Sequence, residues 1–222
     1  MTLRFATALA TGALAATLST PLAAQDVYLN DTNITVQLGP TTPAIPANPF
    51  ANLGVTQSLA NVINAPSAIA SEFHSSPTTH VWVSGAALEL RFDFGIEYDL
   101  STLHLWNYHS ENFDVDDIDF TFFDGSNSLV GSLLNVAPLL GNGNGSDATP
   151  IFAQDYALSF PSRVRYVNAV LSGSNNQVDF NNLGFTARVS VPAIPEPETY
   201  ALMLAGLGLL GVAARRRTRA AR

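Results

Sequence analysis

Two-residue alternation of apolar and polar side chains runs through the middle of the chain and predicts strands rather than helices. Leu88, Leu90, Phe92 and Phe94 share one parity, while Glu89, Arg91 and Asp93 share the other. Successive side chains of a strand point to opposite faces, so such a row marks a half-buried strand. Ile118, Phe120 and Phe122 repeat the pattern against Asp117, Asp119 and Thr121. Val178 and Phe180 do so against Gln177, Asp179 and Asn181, and Leu183, Phe185, Ala187, Val189 and Val191 form a last row. A first strand is expected over 34–38. Turn chemistry lies between the rows, in Asp124-Gly125-Ser126-Asn127, in Gly141-Asn142-Gly143-Asn144-Gly145 and in Ser172-Gly173-Ser174-Asn175-Asn176. Short strands separated in this way predict an all-β sandwich or barrel. Pro40, Pro43, Pro46 and Pro49 recur at the polyproline II period and predict an extended strap. Residues 51–71 form the one stretch with helix-like spacing, held to a few turns by Pro49 and Pro66.

The two ends read differently. Arg4 is followed by an apolar run over 5–18 and then by Ser19, Thr20, Pro21, Leu22, Ala23 and Ala24. A basic start, a short apolar core and small residues before a cut predict a secretory signal peptide over 1–24, cleaved by signal peptidase before Gln25. A second uncharged apolar run covers 200–214, with Arg215, Arg216 and Arg217 directly after it and Arg219 and Arg222 beyond. At ~1.5 Å per residue this run reaches roughly 22 Å, against a hydrocarbon core of ~30 Å. As a transmembrane helix it would need thinning or snorkelling arginines, and those arginines would keep the end in the cytoplasm.

Before that run stands Val191-Pro192-Ala193-Ile194-Pro195-Glu196-Pro197-Glu198-Thr199-Tyr200. The order of Pro195-Glu196-Pro197, a Leu/Gly/Ala-rich helix and an arginine cluster closely resembles the PEP-CTERM sorting signal of Gram-negative bacteria over residues 192–217. The prolines deny the backbone a helix and leave an extended segment that suits a protease groove. The resemblance implies an exosortase as partner, processing near the Pro-Glu-Pro motif, transient residence at the inner membrane, and delivery to the surface or extracellular matrix, as in biofilm-forming species.

Composition sharpens this picture mostly by exclusion. The 222 residues include no cysteine, and the ten basic residues are all arginine. Disulfides, thiolate metal sites, cysteine nucleophiles and lysine chemistry are absent by inventory. Without its ends the chain is more acidic than its overall net charge of −8, because residues 25–194 hold 16 Asp or Glu against four arginines, a net of −12. Such a body repels nucleic acid and anionic membranes and stays soluble outside the cell.

Within the body, Leu88-Glu89-Leu90-Arg91-Phe92-Asp93-Phe94-Gly95 followed by Leu103-His104-Leu105-Trp106-Asn107-Tyr108 resembles the central strands of the galactose-binding-like jelly roll, the family of the discoidin or factor V/VIII type C domains. Asp117-Ile118-Asp119-Phe120-Thr121-Phe122 and Arg163-Val164-Arg165-Tyr166-Val167, with Asn182-Leu183-Gly184-Phe185 after them, agree in order. The resemblance spans roughly residues 60–190 and implies a jelly-roll β-sandwich. Three positions depart from the family pattern: Asn182 stands for its closing glutamate, Asn168 for the basic residue after its Arg-Tyr-Val, and the loop Ser75-Ser76-Pro77-Thr78-Thr79 lacks its Asp-Gly. Calcium at that family position is therefore not expected.

Candidate chemistry is sparse. Asp114, Asp116, Asp117 and Asp119 form the densest acidic stretch, and Asp114 and Asp116 are the candidates for a calcium site. A solvated strand edge accounts for the same residues. His74, His80, His104 and His109 show no zinc spacing, so no metal is expected on them, and His104 reads as an outward strand residue between Leu103 and Leu105. No Gly-x-Ser-x-Gly turn exists, and no catalytic residue is assigned. Trp82 and Trp106 fall in strand patterns and are expected in the core. Tyr108, His109, Asn112 and Phe113 follow Trp106 in a loop and are the candidates for binding carbohydrate.

These observations divide the chain into a signal peptide over 1–24, a strand and Pro-rich strap over 25–50, a β-sandwich over 51–191 and a sorting signal over 192–222. The expected function is that of an exported, non-catalytic surface or matrix protein sorted by exosortase, with polysaccharide as the ligand class considered. The alternatives are a secreted hydrolase with an unrecognised site and a purely structural matrix protein.

Overall fold

The computed structural model describes residues 25–39, 59–74, 80–144, 149–158, 162–190 and 201–211. The alternating rows become strands, and every pairing among them is antiparallel. In chain order they are β1 (Asp26–Leu29), β2 (Thr35–Leu38), β3 (Ser71–Phe73), β4 (Val81–Ser84), β5 (Leu88–Asn107), β6 (Asp117–Phe123), β7 (Leu129–Val136), β8 (Pro150–Phe152), β9 (Gln154–Ala157), β10 (Val164–Ser172) and β11 (Gln177–Val189).

The 20-residue β5 organises the fold. Its first half pairs with β10 along one edge and β2 along the other, and its second half pairs with β11 and β9. Between the halves lies Gly95 at φ 73°, a left-handed conformation that a side chain would strain. The chain turns a corner there, and one nine-stranded hydrogen-bonded sheet becomes two facing leaves. One leaf runs β2-β5-β10-β6-β7; the other has β9, β5 and β11, with β1 and β4 along the far edge of β11. The fold is an all-β sandwich, and β1 and β2 are part of its sheets rather than of a separate strap.

The core lies between the leaves. Phe92 and Phe94 from one leaf meet Phe185 from the other at ring-centroid distances of 5.4 and 5.3 Å. Phe120, Phe122, Phe180, Leu88, Leu90, Leu103 and Leu105 fill the rest, all at most 1% exposed. Each such side chain stabilises the fold by ~1.5–3 kcal/mol through burial.

Two one-residue irregularities account for the parity of the rows. Thr186 faces Thr102 while Ala187 faces Leu100, so Ser101 is an extra residue on β5. Core-facing positions pass from Phe92 and Phe94 to Leu103 and Leu105 across it. Asn181 is likewise extra on β11, between the Phe180 and Asn182 pairings, and carries the core row from Val178 and Phe180 to Leu183 and Phe185. Each is a bulge that flips the inward face.

On the outer face of the second leaf, Trp106 is fully buried with Ala65 and Ile151, under the small β3–β8 sheet. Its indole N–H donates to the Ala70 carbonyl at 2.9 Å. Trp106 is core as expected, whereas Trp82 is half-buried and donates to Gln177 Oε1 at 2.7 Å.

Three expectations are changed or lie out of reach. Of the helix-like stretch 51–71, the described part holds only a 3-10 turn, Leu59–Val62. The Asn61 carbonyl and the Asn64 side chain there accept instead from Asn182 Nδ2 in β11, a tertiary partner that local spacing does not announce. The apolar tail forms a helix over 201–211, about 16 Å long at ~1.5 Å per residue, with Leu202, Leu204, Leu207 and Leu209 exposed. No helix among the described residues is long and apolar enough to cross a membrane, so the span expected over 200–214 is not realised in them. The segment 1–24, the proline strap, Pro195, Glu196, Pro197 and Arg215 to Arg217 lie outside the described residues.

Candidate functional site

Where β5 ends, Leu105, Trp106, Asn107 and Tyr108 divide four tasks among neighbouring residues. Leu105 faces the core between the leaves and Trp106 the outer cluster. Asn107 is 0% exposed and uses its carboxamide mainly on backbone. Its Nδ2 donates to the carbonyls of Val115 (3.0 Å) and Leu139 (2.9 Å). Its Oδ1 accepts from the amides of Tyr108 and Val115, both at 3.0 Å. One side chain thus holds the end of β5, the loop 108–116 and the stretch after β7 together, and this loop carries Tyr108, His109, Asn112 and Phe113.

Tyr108 sits among rings. Its centroid lies 4.3 Å from His109, 4.5 Å from His74 and 6.2 Å from Phe113, and Phe113 meets Trp82 edge-on at 6.0 Å. Tyr108, His109 and Phe113 are therefore brought together as the loop order suggested, each half-buried, while Asn112 is exposed beside Asn175.

The fold adds three residues that the sequence did not single out. His74 follows β3, His80 precedes β4, and Asp179 lies in β11 opposite Trp82. In β4 and β11 the side chains of Val81, Val83, Val178 and Phe180 face the core, so His80, Trp82, Gln177 and Asp179 share the outer face. The rings of His74 and His80 stack at 3.9 Å with an interplanar angle of 21°. One ligand-type atom from each of His74, His80 and Asp179 lies within 4.8 Å of the others, so the trio is able to hold a metal ion.

Burial dominates the electrostatics. Asp179 is 4% exposed and its Oδ1 has no hydrogen-bond partner among the described residues. Desolvation pushes its carboxyl up to about 8. Burial, and then His74, push His80 down to about 4, which keeps its ring neutral. Tyr108 is raised by burial and by Asp179, and His109 is lowered by burial.

The two calcium candidates serve different contacts. Asp114, 3% exposed, points Oδ2 toward Asn107, whereas Asp116 accepts from the amide of Ser174 in the β10–β11 turn. Burial, then Asp116 and Glu111, raise Asp114 to about 6. Folding therefore retains a proton there between pH ~4 and 6 that the unfolded chain releases, and stability falls as pH rises through that window. The variant Asp114→Asn lacks this loss. Its melting temperature is expected to gain on the wild type from pH 4 to 6 and to hold a constant lead above, as thermal scans of both proteins would show; parallel curves would contradict this.

Asn182, the residue in the glutamate position, is 0% exposed. Its Oδ1 accepts from the Ala65 and Leu183 amides at 3.1 Å, and its Nδ2 donates to Asn64 Oδ1 at 2.6 Å. Both ends of this neutral side chain are occupied, so it offers no carboxylate to calcium.

His104 does lie on the outer face, but it is 3% exposed rather than open, because Tyr28 and β9 cover it. Its Nδ1 lies 2.6 Å from Asp155 Oδ1 and its Nε2 2.8 Å from Thr186 Oγ1. The order resembles a hydroxyl–imidazole–carboxylate relay. However, β5 and β11 are each paired along both edges there, so their amides serve the ladders and leave no preorganised donors for an oxyanion. The Asp155 side chain is 65% exposed, unlike the buried acid of a working triad.

His74, His80 and Asp179 had no readable spacing. Alternation placed Asp179 on a polar face; the pairing of β4 with β11 brings it to His80, and His74 joins them from the end of β3, which pairs with β8.

The PEP-CTERM protein-sorting motif matches residues 193–217. No curated protein matches the chain. Among solved structures, the chain is similar to the F5/8 type C domain of a Bacteroides fragilis protein (8% identity, 75% of this chain and 98% of that chain, TM-score 0.48). It is also similar to the family 32 carbohydrate-binding module of Clostridium perfringens NanJ, solved with galactose (8% identity, 73% and 99%, TM-score 0.42). A third is a family 32 module from the same organism, solved with GalNAc-β-1,3-galactose (10% identity, 72% and 99%, TM-score 0.43).

Proposed function

We propose that this chain is an exported protein, sorted to the cell surface or matrix through its C-terminal motif, whose β-sandwich binds carbohydrate at the Tyr108 loop rather than catalysing a reaction. The match of residues 193–217 to the sorting motif carries the first part. A signal peptide over 1–24 supplies entry to the export route, and exosortase acts at Pro195-Glu196-Pro197, with Arg215, Arg216 and Arg217 on the part removed. The binding role rests on the ring cluster of Tyr108, His109 and Phe113, which Asn107 holds at one end of the sandwich. Flat rings with polar rims suit the apolar faces and hydroxyls of sugars.

In a host with active exosortase, intact mass of the exported protein is expected to show loss of residues 1–24 and of the arginine tail. Survival of that tail on the exported form contradicts the sorting role. On a glycan array, saturable binding is expected to fall about tenfold or more in Tyr108→Ala, as for other hot-spot rings. The relay of Thr186, His104 and Asp155 favours a second reading, a hydrolase. Turnover of chromogenic ester or glycoside substrates that disappears in His104→Gln would establish that reading in place of binding.

A further inference from the structure

We propose that His74, His80 and Asp179 form a binding site for a divalent transition-metal ion of the zinc class. This goes beyond the carbohydrate reading and does not depend on it. Asp179 on the outer face of β11 meets two histidines from a distant part of the chain, His74 at the end of β3 and His80 at the start of β4. Their ligand-type atoms lie within 4.8 Å of one another. Tetrahedral ligands at ~2.0–2.1 Å from zinc stand roughly 3.4 Å apart, so a closure on the order of 1 Å completes the geometry.

The carboxylate gives the independent reason. Asp179 is 4% exposed, and its Oδ1 has no hydrogen-bond partner among the described residues. A carboxyl buried without donors keeps its proton unless a cation is at hand to offset the charge. The chain contains no lysine. Each described arginine of the sandwich is committed elsewhere: Arg163 to Glu97, Arg165 to Asp93, Arg188 to Asp26, and Arg91 to Asn168 and Asn127. A metal ion held by two imidazoles would offset the charge of this carboxylate, a task that none of the four described arginines takes on. The donor set of two nitrogens and one oxygen suits zinc, cobalt, nickel or copper, and not calcium, which takes oxygens. Three protein ligands leave a fourth position for water or a bound ligand.

The test uses purified full-length protein without a histidine tag, stripped by chelator and titrated with zinc and with cobalt at pH 7.5. Calorimetry is expected to give one site per chain, cobalt to give the strong visible bands of a tetrahedral complex, and both metals to raise the melting temperature while calcium leaves it unchanged. His80→Gln and Asp179→Asn are each expected to weaken zinc binding more than about 100-fold, and His109→Ala to leave it intact. His74→Gln, at a half-buried position, provides the same test in a variant that retains the buried pair. Absence of saturable zinc binding in the wild type overturns the proposal, as does binding that survives all three ligand substitutions. Zinc binding lost in His109→Ala alone assigns the ion to a different site and equally overturns it. A silent glycan array with intact zinc binding would dispose of the carbohydrate reading and leave this one standing.

Discussion

Replacing Asn107 with leucine, a side chain of similar size, is expected to destabilise the protein by at least about 4 kcal/mol and to disorder the 108–116 loop. Four backbone groups lose their partner at once: the buried carbonyl and amide of Val115, and the partly buried carbonyl of Leu139 and amide of Tyr108. Each unsatisfied buried group costs roughly 1–3 kcal/mol, and water has no access to replace a bond in a residue that is 0% exposed. Asn107→Asp keeps the two accepted bonds but turns a carboxylate oxygen toward two carbonyls and Asp114, so it is expected to fall between wild type and leucine at low pH and to approach leucine at neutral pH. Urea denaturation at two pH values measures both. A leucine variant within 1 kcal/mol of wild type would show that the three segments are held by other contacts.

Trp106→Ala is expected to cost about 3–5 kcal/mol, the usual range for emptying a large aromatic site. The loss is specific to the outer face: Trp106 fills the space between Ala65 and Ile151 beneath the β3–β8 sheet, and its indole anchors Ala70 just before β3. Without it, β3 has only its three-residue pairing with β8 to hold it, and His74 follows β3 directly. The variant is expected to unfold at lower urea and to lose proteolytic resistance around residues 70–74 ahead of the main core. Trp106→Phe, which fills much of the volume but cannot bond Ala70, is expected to lose roughly 1–2 kcal/mol. Denaturation midpoints together with limited proteolysis read both effects; a uniform loss of protection across the sandwich would mean that the outer cluster is not a separate unit.

The strands that the alternation made legible are those with one face on the core and one toward solvent: the first half of β5, β6, and β11 on either side of its bulge. The strands β1, β3, β8 and β9 are three or four residues long, too short for a period to show. They exist because longer neighbours offer them an edge. The change of parity after Gly95 was present in the residues, yet reading Ser101 and Asn181 as bulges required the register of β5 against β11. His104 shows the limit of the pattern most clearly. Its parity correctly puts it on the outer face, but parity describes one strand, and burial there depends on β9 and Tyr28 arriving from elsewhere in the chain.

The ring cluster of the 108–116 loop was partly legible for the same reason that the trio of His74, His80 and Asp179 was not. Tyr108, His109 and Phe113 are neighbours in the chain and follow a strand end, so local order brings them together. His74, His80 and Asp179 depend on two β-pairings and on the cover over Trp106, none of which has a local signal.

By itself, the sequence determined what depends on order along the chain: an all-β body, acidic and without cysteine or lysine, and a Pro-Glu-Pro motif followed by an apolar run and arginines. These are properties of composition, period and contiguity, and no folding step alters them. Tertiary structure alone decided that β5 serves both leaves, that Asn107 ties three segments, and that two histidines meet a buried aspartate. Those features rest on contacts between residues far apart in sequence, and such contacts exist only once the sheet has folded over its own corner at Gly95.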